Sequence, residues 1–226
     1  MQGNALDITT ENRHLNGVLR PMLVICGVLA VFGIGGSLLI ASGREGGMDY
    51  LLETYLVSYA FFLSISLGAL FFVLLQHCTR AGWSVVVRRV AEALAGNVWL
   101  MAVLAIPIVL GMDHLYHWTD TAAAAHDPLL SGKVGFLYPT FFIVRVVAYF
   151  VSWGVMASYL HRTSISHVAS GDPGLTLRME RLSAPGMVLF ALSLNFAAFD
   201  LLMSLDPHWF STIFGVYYFA ASVVVF

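Results

Sequence analysis

The stretch PTFFIVRVVAYFVSWG, residues 139–154, decides the class of fold. It is almost entirely apolar, and about 20 such residues in a helix cross the hydrocarbon core of a bilayer. The whole chain has the same character. Of its 226 residues, 59% are hydrophobic and 11% are charged, and the mean hydropathy is +0.82. Soluble domains carry roughly 25% charged residues. The sequence therefore predicts an all-α integral membrane protein.

Further apolar runs on both sides of this stretch predict a single transmembrane helix bundle over residues 1–226. We place spans at 21–41, 54–77, 93–112, 136–160 and 184–205, and a sixth at 212–226. Residues 1–20 form an N-terminal segment ahead of the first span. The last run is apolar to its end, so we expect the chain to be a fragment of a longer subunit. The mixed segment 80–96 is predicted as an interfacial helix that continues into the third span.

Charged residues are shared unevenly between the two sets of loops. One side carries most of the arginines, namely Arg13, Arg20, Arg80, Arg88, Arg89, Arg162, Arg178 and Arg181. The other side carries Arg44 and Lys133 with acidic residues and histidines: Asp49, Asp113, Asp120, Asp127, Asp206, His114, His117, His126 and His208. The positive-inside rule places the arginine-rich loops and the N-terminus in the cytoplasm.

Several kinds of chemistry are disfavoured by the residues themselves. No predicted span has a central histidine for haem, there is no CxxCH, and two distant cysteines cannot hold an iron–sulfur cluster. The only lysine is in a loop, and there is no P-loop. A net charge of −2 without a basic run indicates no nucleic-acid partner. We expect no metal site and no catalytic redox centre in this chain.

The stretch DHLYHWTD, residues 113–120, has two interpretations. Its acidic and histidine side chains recur at helical spacing, but a metal site would need ligands from elsewhere in the chain. The simpler interpretation, which we favour, is a turn at the membrane surface with Tyr116 and Trp118 as headgroup anchors.

Arg145 is the exceptional residue of the opening stretch, because its guanidinium stays charged inside an apolar span. Asp200 lies at a comparable depth in the following span, and a buried charge needs a partner. We therefore predict that Arg145 pairs with Asp200.

Polar residues also form stripes at helical spacing on three spans, and such stripes face the interior of a bundle. They are Tyr138, Arg145, Tyr149 and Ser152 on one span, Ser193, Ala197, Asp200 and Ser204 on the next, and Tyr59, Ser66 and His77 on an earlier one. Two interpretations stay open. The polar residues either lock helices together, or form a proton path through Arg145, Asp200, His77, Tyr149 and Ser204. His77 is also compatible with a solvated histidine at the cytoplasmic interface.

Two motifs carry a resemblance to a known family. The segments SYAFFLSISLGALFFVLLQHCTRAGWSVVVRRVAE (58–92) and DPHWFSTIFGVYYFAAS (206–222) resemble the ActF-like membrane subunits, of the NrfD/polysulfide reductase type, of bacterial alternative complex III. The resemblance implies a place in a quinol-oxidising respiratory complex of the bacterial inner membrane. It implies a sister NrfD-like subunit, multihaem cytochrome c subunits and an iron–sulfur subunit as partners, which hold the haem c and the clusters. It also implies scaffolding and proton translocation for this chain.

Two alternatives remain at this point. The chain itself binds quinol near the outer face, where Asp200, Tyr138, Asp206 and His208 would hydrogen-bond the head group. Alternatively it is a secondary transporter, a class usually marked by broken helices and inverted repeats. Pro107 is the one strong interior helix breaker in the predicted spans, and no inverted repeat is visible, so the transporter ranks last.

Overall fold

The computed structural model describes residues 16–120, 127–133 and 135–226. Most of the predicted segment 1–20, including Arg13, lies outside the described residues. His126 of the outer loops also lies outside them. The α-helices are α1 (Asn16–Ser42), α2 (Gly47–Cys78), α3 (Val85–Gly96), α4 (Val98–Leu104), α5 (Ile106–Leu110), α6 (Met112–Leu115), α7 (Pro128–Lys133), α8 (Pro139–Ser170), α9 (Pro173–Leu201) and α10 (Phe214–Val225). Two 3-10 turns lie at His117–Thr119 and Met203–Leu205.

The all-α prediction is confirmed, because the described residues form helices and no strand. Helical segments long and apolar enough to cross a membrane are Gly17–Ser42, Gly47–Cys78, Val87–Leu110, Pro139–Ser170 and Pro173–Leu205. They correspond to the first five predicted spans, so the chain is a multi-pass membrane protein. The sixth predicted span is the apolar helix α10, whose 12 residues are fewer than the roughly 20 that cross a bilayer.

The chain divides into two compact units, residues 1–51 and residues 52–226. The first unit contains α1 and the tight turn after it. Gly46 has φ +67°, and a Cβ on Gly47 would lie 1.9 Å from the carbonyl oxygen of Ala41. Only glycine fits such a conformation and such an approach without strain, so this turn depends on the Gly46–Gly47 pair.

The second unit is built around the part of α2 that it contains. Leu63, Leu67 and Leu70 of α2 are at most 2% exposed. A Cβ on Gly68 would lie 2.0 Å from the carbonyl oxygen of Ser222, so α2 and α10 approach each other backbone to backbone. Helix α8 packs against α3, α4 and α9, and α9 packs against α10. The buried polar residues of these helices include Tyr59, Ser66, Tyr149, Ser193 and Asp200.

The third span is interrupted near Pro107, as expected for a residue that has no N–H to donate to the preceding turn. Helix α4 ends at Leu104 and α5 begins at Ile106. Two tyrosines of α2 donate hydrogen bonds to carbonyls of α4: Tyr55 to Leu104 at 2.7 Å and Tyr59 to Met101 at 3.0 Å. The break is therefore tied to α2 by side chains.

A short turn makes α8 and α9 antiparallel. Gly171 ends α8 in the left-handed conformation, at φ +67°, which favours glycine at a helix C-terminus. Asp172 caps α9 by accepting a hydrogen bond from the Gly174 amide, and Pro173 suits the first helical position. Arg145 and Asp200 lie at nearly equal numbers of residues from this turn, so they reach the same level of the bundle.

Candidate functional site: a buried arginine–aspartate pair

The predicted pairing of Arg145 with Asp200 is present, in a bidentate geometry. Arg145 Nε lies 2.8 Å from Asp200 Oδ2, and Nη2 lies 2.8 Å from Oδ1. The Asp200 side chain is fully buried, and 11% of the Arg145 side chain is exposed. Planar fork-to-fork contacts of this kind are the strongest arginine–carboxylate hydrogen bonds. The charge of Arg145 in its apolar span is therefore compensated by Asp200 inside the bundle.

The remaining donors and faces of the pair are also engaged. Tyr149, one turn along α8 from Arg145, donates a hydrogen bond to Asp200 Oδ2 at 2.8 Å. Arg145 Nη1 donates to the carbonyl of Phe136 at 2.9 Å. The guanidinium carbon lies 4.0 Å from the ring centre of Phe136 and 4.4 Å from that of Phe141. Both rings therefore make cation–π contacts with the guanidinium.

Neighbouring polar groups hold the backbone around Asp200 rather than its carboxylate. Ser204, a predicted member of the proton path, donates to the Asp200 carbonyl. Tyr116 donates to the carbonyl of Leu201 at 3.1 Å. Both bonds occur where α9 ends and its last carbonyls lack helical partners. Ser204 therefore positions Asp200 and does not extend the hydrogen-bond chain from the carboxylate.

Tyr116 and Trp118 correct the sequence interpretation of residues 113–120. They were expected to face the membrane surface, yet Tyr116 is fully buried and Trp118 is 5% exposed. Both rings pack against Phe142, with ring centres 5.4 Å from it. Burial raises the pKa of the Tyr116 hydroxyl, with a smaller contribution from the Asp200 charge. The aromatic residues of this turn thus form the apolar cover over the end of α9.

The residues proposed to contact quinone are dispersed or already engaged. His208 contacts the Asp127 carboxylate, and the Asp206 carboxylate accepts a hydrogen bond from the His208 amide at 3.0 Å. Tyr138 precedes α8 and is 56% exposed, so its place on a buried stripe was wrong. Among the described residues, no hydrogen bond or ion pair joins Tyr138 to Asp206 or His208.

The Asp127–His208 contact connects the start of α7 with the loop before α10. The pKa of the Asp127 carboxyl lies below its ordinary value, chiefly because the Leu129 amide donates to it, and secondly because His208 does. Lys133 strengthens the connection by donating to the carbonyl of Pro207 at 2.5 Å. These polar contacts order the loops at this end of the bundle.

His77 lies elsewhere, and its interpretation as a solvated interfacial residue is wrong. It is 4% exposed. Arg80, three residues after His77, contacts Glu180 of α9 at 2.7 Å, which puts His77 near the level of Ser183. Asp200 lies 17 residues beyond Ser183 along α9, or about 25 Å at 1.5 Å per residue. The structure therefore divides the predicted proton-path residues, with Arg145, Asp200, Tyr149 and Ser204 together and His77 in a separate polar region.

That second region contains a buried ion cluster around Glu92. The Glu92 side chain is fully buried, with Arg89 Nη1 at 2.9 Å and Arg88 Nε at 3.5 Å. His161 Nδ1 of α8 lies 3.6 Å from it, and Arg89 also donates to the carbonyl of Ser164. The spacing of Arg88 and Glu92 shows in the sequence that they share one helical face. The depth of burial and the contribution of α8 depend on contacts between residues far apart in the chain.

Comparisons of the sequence with protein-family models and with curated proteins found no match.

Proposed function

We propose that this chain is a membrane subunit of a quinol-oxidising respiratory complex in the bacterial cytoplasmic membrane, similar to the ActF-like subunits of alternative complex III. It scaffolds the partner subunits and takes part in proton translocation. The redox centres belong to the partners: haem c in the cytochrome subunits and clusters in the iron–sulfur subunit. Within this chain, the observation that carries the proposal is the buried Arg145–Asp200–Tyr149 cluster between two apolar helices. The quoted motifs supply the assignment to a complex.

The cluster suits scaffolding because its charges are held by direct contacts. Asp200 accepts hydrogen bonds from two guanidinium nitrogens and one phenol, so both of its oxygens are engaged. Removing either charged partner would leave a buried charge without compensation, which is far more costly than losing an exposed pair. The cluster therefore fixes α8 against α9 and stabilises the surface that these helices present to partner subunits.

The same geometry suits proton exchange at Asp200. A proton that binds Oδ1 replaces the hydrogen bond from Arg145 Nη2, while Tyr149 continues to hold Oδ2. Arg145 then keeps its bond to the Phe136 carbonyl and its contacts with the two rings. When the proton leaves, Arg145 Nη2 bonds Oδ1 again and the bidentate ion pair reforms. Arg145 thus acts as the positioning residue and Asp200 as the group that exchanges the proton.

The first test is purification of the protein from its native membranes in a mild detergent, followed by a haem spectrum and a quinol oxidation assay. We expect haem c to co-purify with quinol-dependent electron transfer. A preparation of this chain without haem and without quinol oxidation would overturn the assignment to a respiratory complex.

The second test separates the two roles of the cluster. In vesicles that contain the purified complex, the double variant Arg145→Ala with Asp200→Asn, which removes both buried charges together, is expected to retain electron transfer and to reduce the number of protons moved per electron. An unchanged proton ratio in an assembled, active complex would contradict proton exchange at Asp200 and leave the scaffolding role.

A further inference from the structure

A layer of polar side chains with buried nitrogen and oxygen atoms crosses the bundle far from the Arg145–Asp200 pair. We name it the polar layer; it consists of Gln76, His77, Glu92, His161, Ser164 and Ser183. In each of these residues one buried side-chain atom has no hydrogen-bond partner within the described part of the chain. The atoms are Gln76 Oε1, His77 Nε2, Glu92 Oε1, His161 Nδ1, Ser164 Oγ and Ser183 Oγ. Buried polar groups in folded proteins are nearly always satisfied, so this concentration calls for a ligand.

The packing of the helices brings these residues to one level. A Cβ on Gly186 of α9 would lie 3.3 Å from Leu74 of α2 and 3.4 Å from Met156 of α8. Further along, Arg80, just beyond α2, contacts Glu180 of α9 at 2.7 Å. Gln76, His77 and Ser183 therefore lie between these two contacts, within about one turn of each other at 1.5 Å per residue.

The ion cluster of α3, formed by Arg88, Arg89 and Glu92, lies near the same level of the bundle. Helix α3 packs against α8, and Glu92 lies 3.6 Å from His161 of α8. Ser164 follows His161 by one turn and is 1% exposed. The six atoms without a hydrogen bond among the described residues thus come from four packed helices at about one level of the bundle; two of them, Glu92 Oε1 and His161 Nδ1, also take part in the ion cluster.

The mixture of donors and acceptors identifies the class of ligand. Gln76 Oε1 and Glu92 Oε1 accept hydrogen bonds, the two serine hydroxyls donate and accept, and each imidazole nitrogen does one or the other. A bare cation needs acceptors alone, and two arginines lie beside Glu92. A bare anion needs donors alone and would face the Glu92 carboxylate. Water both donates and accepts, and buried waters typically make about three hydrogen bonds to such groups.

We propose that the polar layer is an internal water-binding site that joins α2, α3, α8 and α9. It is a different site from the Arg145–Asp200 pair and does not depend on the proposed function. Arg89 and His161 form its rim, since their side chains are 38% and 40% exposed. Water reaches the layer past this rim, so the buried atoms exchange with solvent although they lie inside the bundle.

Hydroxyl-radical footprinting of the full chain in lipid nanodiscs tests this inference, because radicals formed from bound water oxidise the side chains that touch it. We expect His77 to be oxidised several-fold faster than Trp153, although both are buried, at 4% and 0% exposure. Trp153 is a stringent control, since an indole is intrinsically at least as reactive as an imidazole. It lies outside the polar layer, and its Nε1 donates to Ser193. Protection of His77 equal to that of Trp153 would overturn the proposal.

A matched pair of variants gives a second test that does not depend on comparing His77 with Trp153. Ser183→Thr keeps a hydroxyl in the layer, and Ser183→Val replaces it with a methyl group at the same volume. If water occupies the layer, His77 oxidation should fall several-fold in the valine variant relative to the threonine variant. Equal oxidation rates in the two folded variants would contradict a water site that includes Ser183.

Discussion

At the scale of single residues, the Arg145–Asp200 pair shows how a membrane helix accommodates a permanent charge. Arg145 contacts a carboxylate, a carbonyl and two aromatic rings, and 11% of its side chain is exposed. Each of the two buried charges is compensated by the other. Removing one residue should therefore destabilise the protein more than replacing both.

Variants of the pair measure this dependence. Arg145→Ala leaves Asp200 buried without its cation and should destabilise the protein by about 3–5 kcal/mol. The double variant Arg145→Ala with Asp200→Asn should recover part of this loss, because a neutral amide still accepts the hydrogen bond from Tyr149. Thermal unfolding in detergent, followed as loss of the monodisperse fraction, gives the comparison. A double variant no more stable than the single one would show that the two residues do not compensate each other.

Tyr149 provides a smaller and independent test. Tyr149→Phe removes one hydrogen bond to a buried carboxylate, and bonds to charged groups contribute about 1.5–3 kcal/mol. Tyr159→Phe on the same helix is the matched control, because Tyr159 is 37% exposed and its loss should change stability by no more than about 0.5 kcal/mol. Unfolding of both variants is measured under the conditions used for the pair. Equal stabilities would mean that the Tyr149 hydroxyl contributes nothing to holding Asp200.

The sequence predicted this pair because a charge in an apolar span is conspicuous and its partner lies at the same depth of the next span. It did not predict the burial of Glu92 or the separate location of His77. Glu92 lies in a segment of mixed polarity, where an exposed acidic residue is equally compatible with the pattern. Glu92 contacts His161, and its partner Arg89 donates to the Ser164 carbonyl, both about 70 residues later in the chain. Periodicity within one helix does not contain that information.

At the scale of helices, the contact between α2 and α10 depends on the absence of one side chain. A Cβ on Gly68 would lie 2.0 Å from the Ser222 carbonyl oxygen and 2.8 Å from the Phe226 side chain. The first of these atoms belongs to the backbone, so no rotamer change relieves the overlap. Small residues at helix contacts allow backbones in a membrane to approach closely, since packing is the main source of association there.

Gly68→Ala should therefore separate α10 from α2 and destabilise the protein by at least about 1–3 kcal/mol, the usual cost of overpacking. Gly96→Ala is the control, because nothing lies within 4 Å of the position that its Cβ would occupy. In a helix, that change should be neutral or stabilise by up to about 1 kcal/mol. Thermal unfolding of both variants separates the close contact from the general effect of replacing a glycine. Equal stability of the two would contradict the close approach of α2 and α10.

Sequence patterns predicted the long helices well and their details less well. Length and hydropathy located the first five spans, and Pro107 marked the interruption between α4 and α5. Tyr116 and Trp118 were placed at the membrane surface because an aromatic pair beside polar residues has that pattern. In the structure the turn folds back, and both rings pack on Phe142. Composition does not distinguish an aromatic residue that faces lipid headgroups from one that covers the end of a helix.

At the scale of the whole molecule, the distribution of arginines predicts the orientation in the membrane. Six arginines lie near the turns that follow α2 and α8: Arg80, Arg88, Arg89, Arg162, Arg178 and Arg181. The loops at the opposite ends of these helices carry acidic residues and histidines. Positive loops are retained in the cytoplasm during insertion. We therefore expect the turn between α2 and α3 to face the cytoplasm and α7 to face the other side.

Two glycines provide matched positions to test this orientation. Nothing lies within 4 Å of the position that a Cβ would occupy on Gly82, in the turn after α2, or on Gly132, in α7. In a background with Cys26 and Cys78 replaced by alanine, we expect a membrane-impermeant maleimide to label Gly132→Cys in intact spheroplasts. Gly82→Cys should react only after the membrane is opened. The reverse pattern would invert the orientation. Labelling of both from one side would mean that Val87–Leu110, 24 residues of mean hydropathy 2.2 between the two positions, does not cross the bilayer.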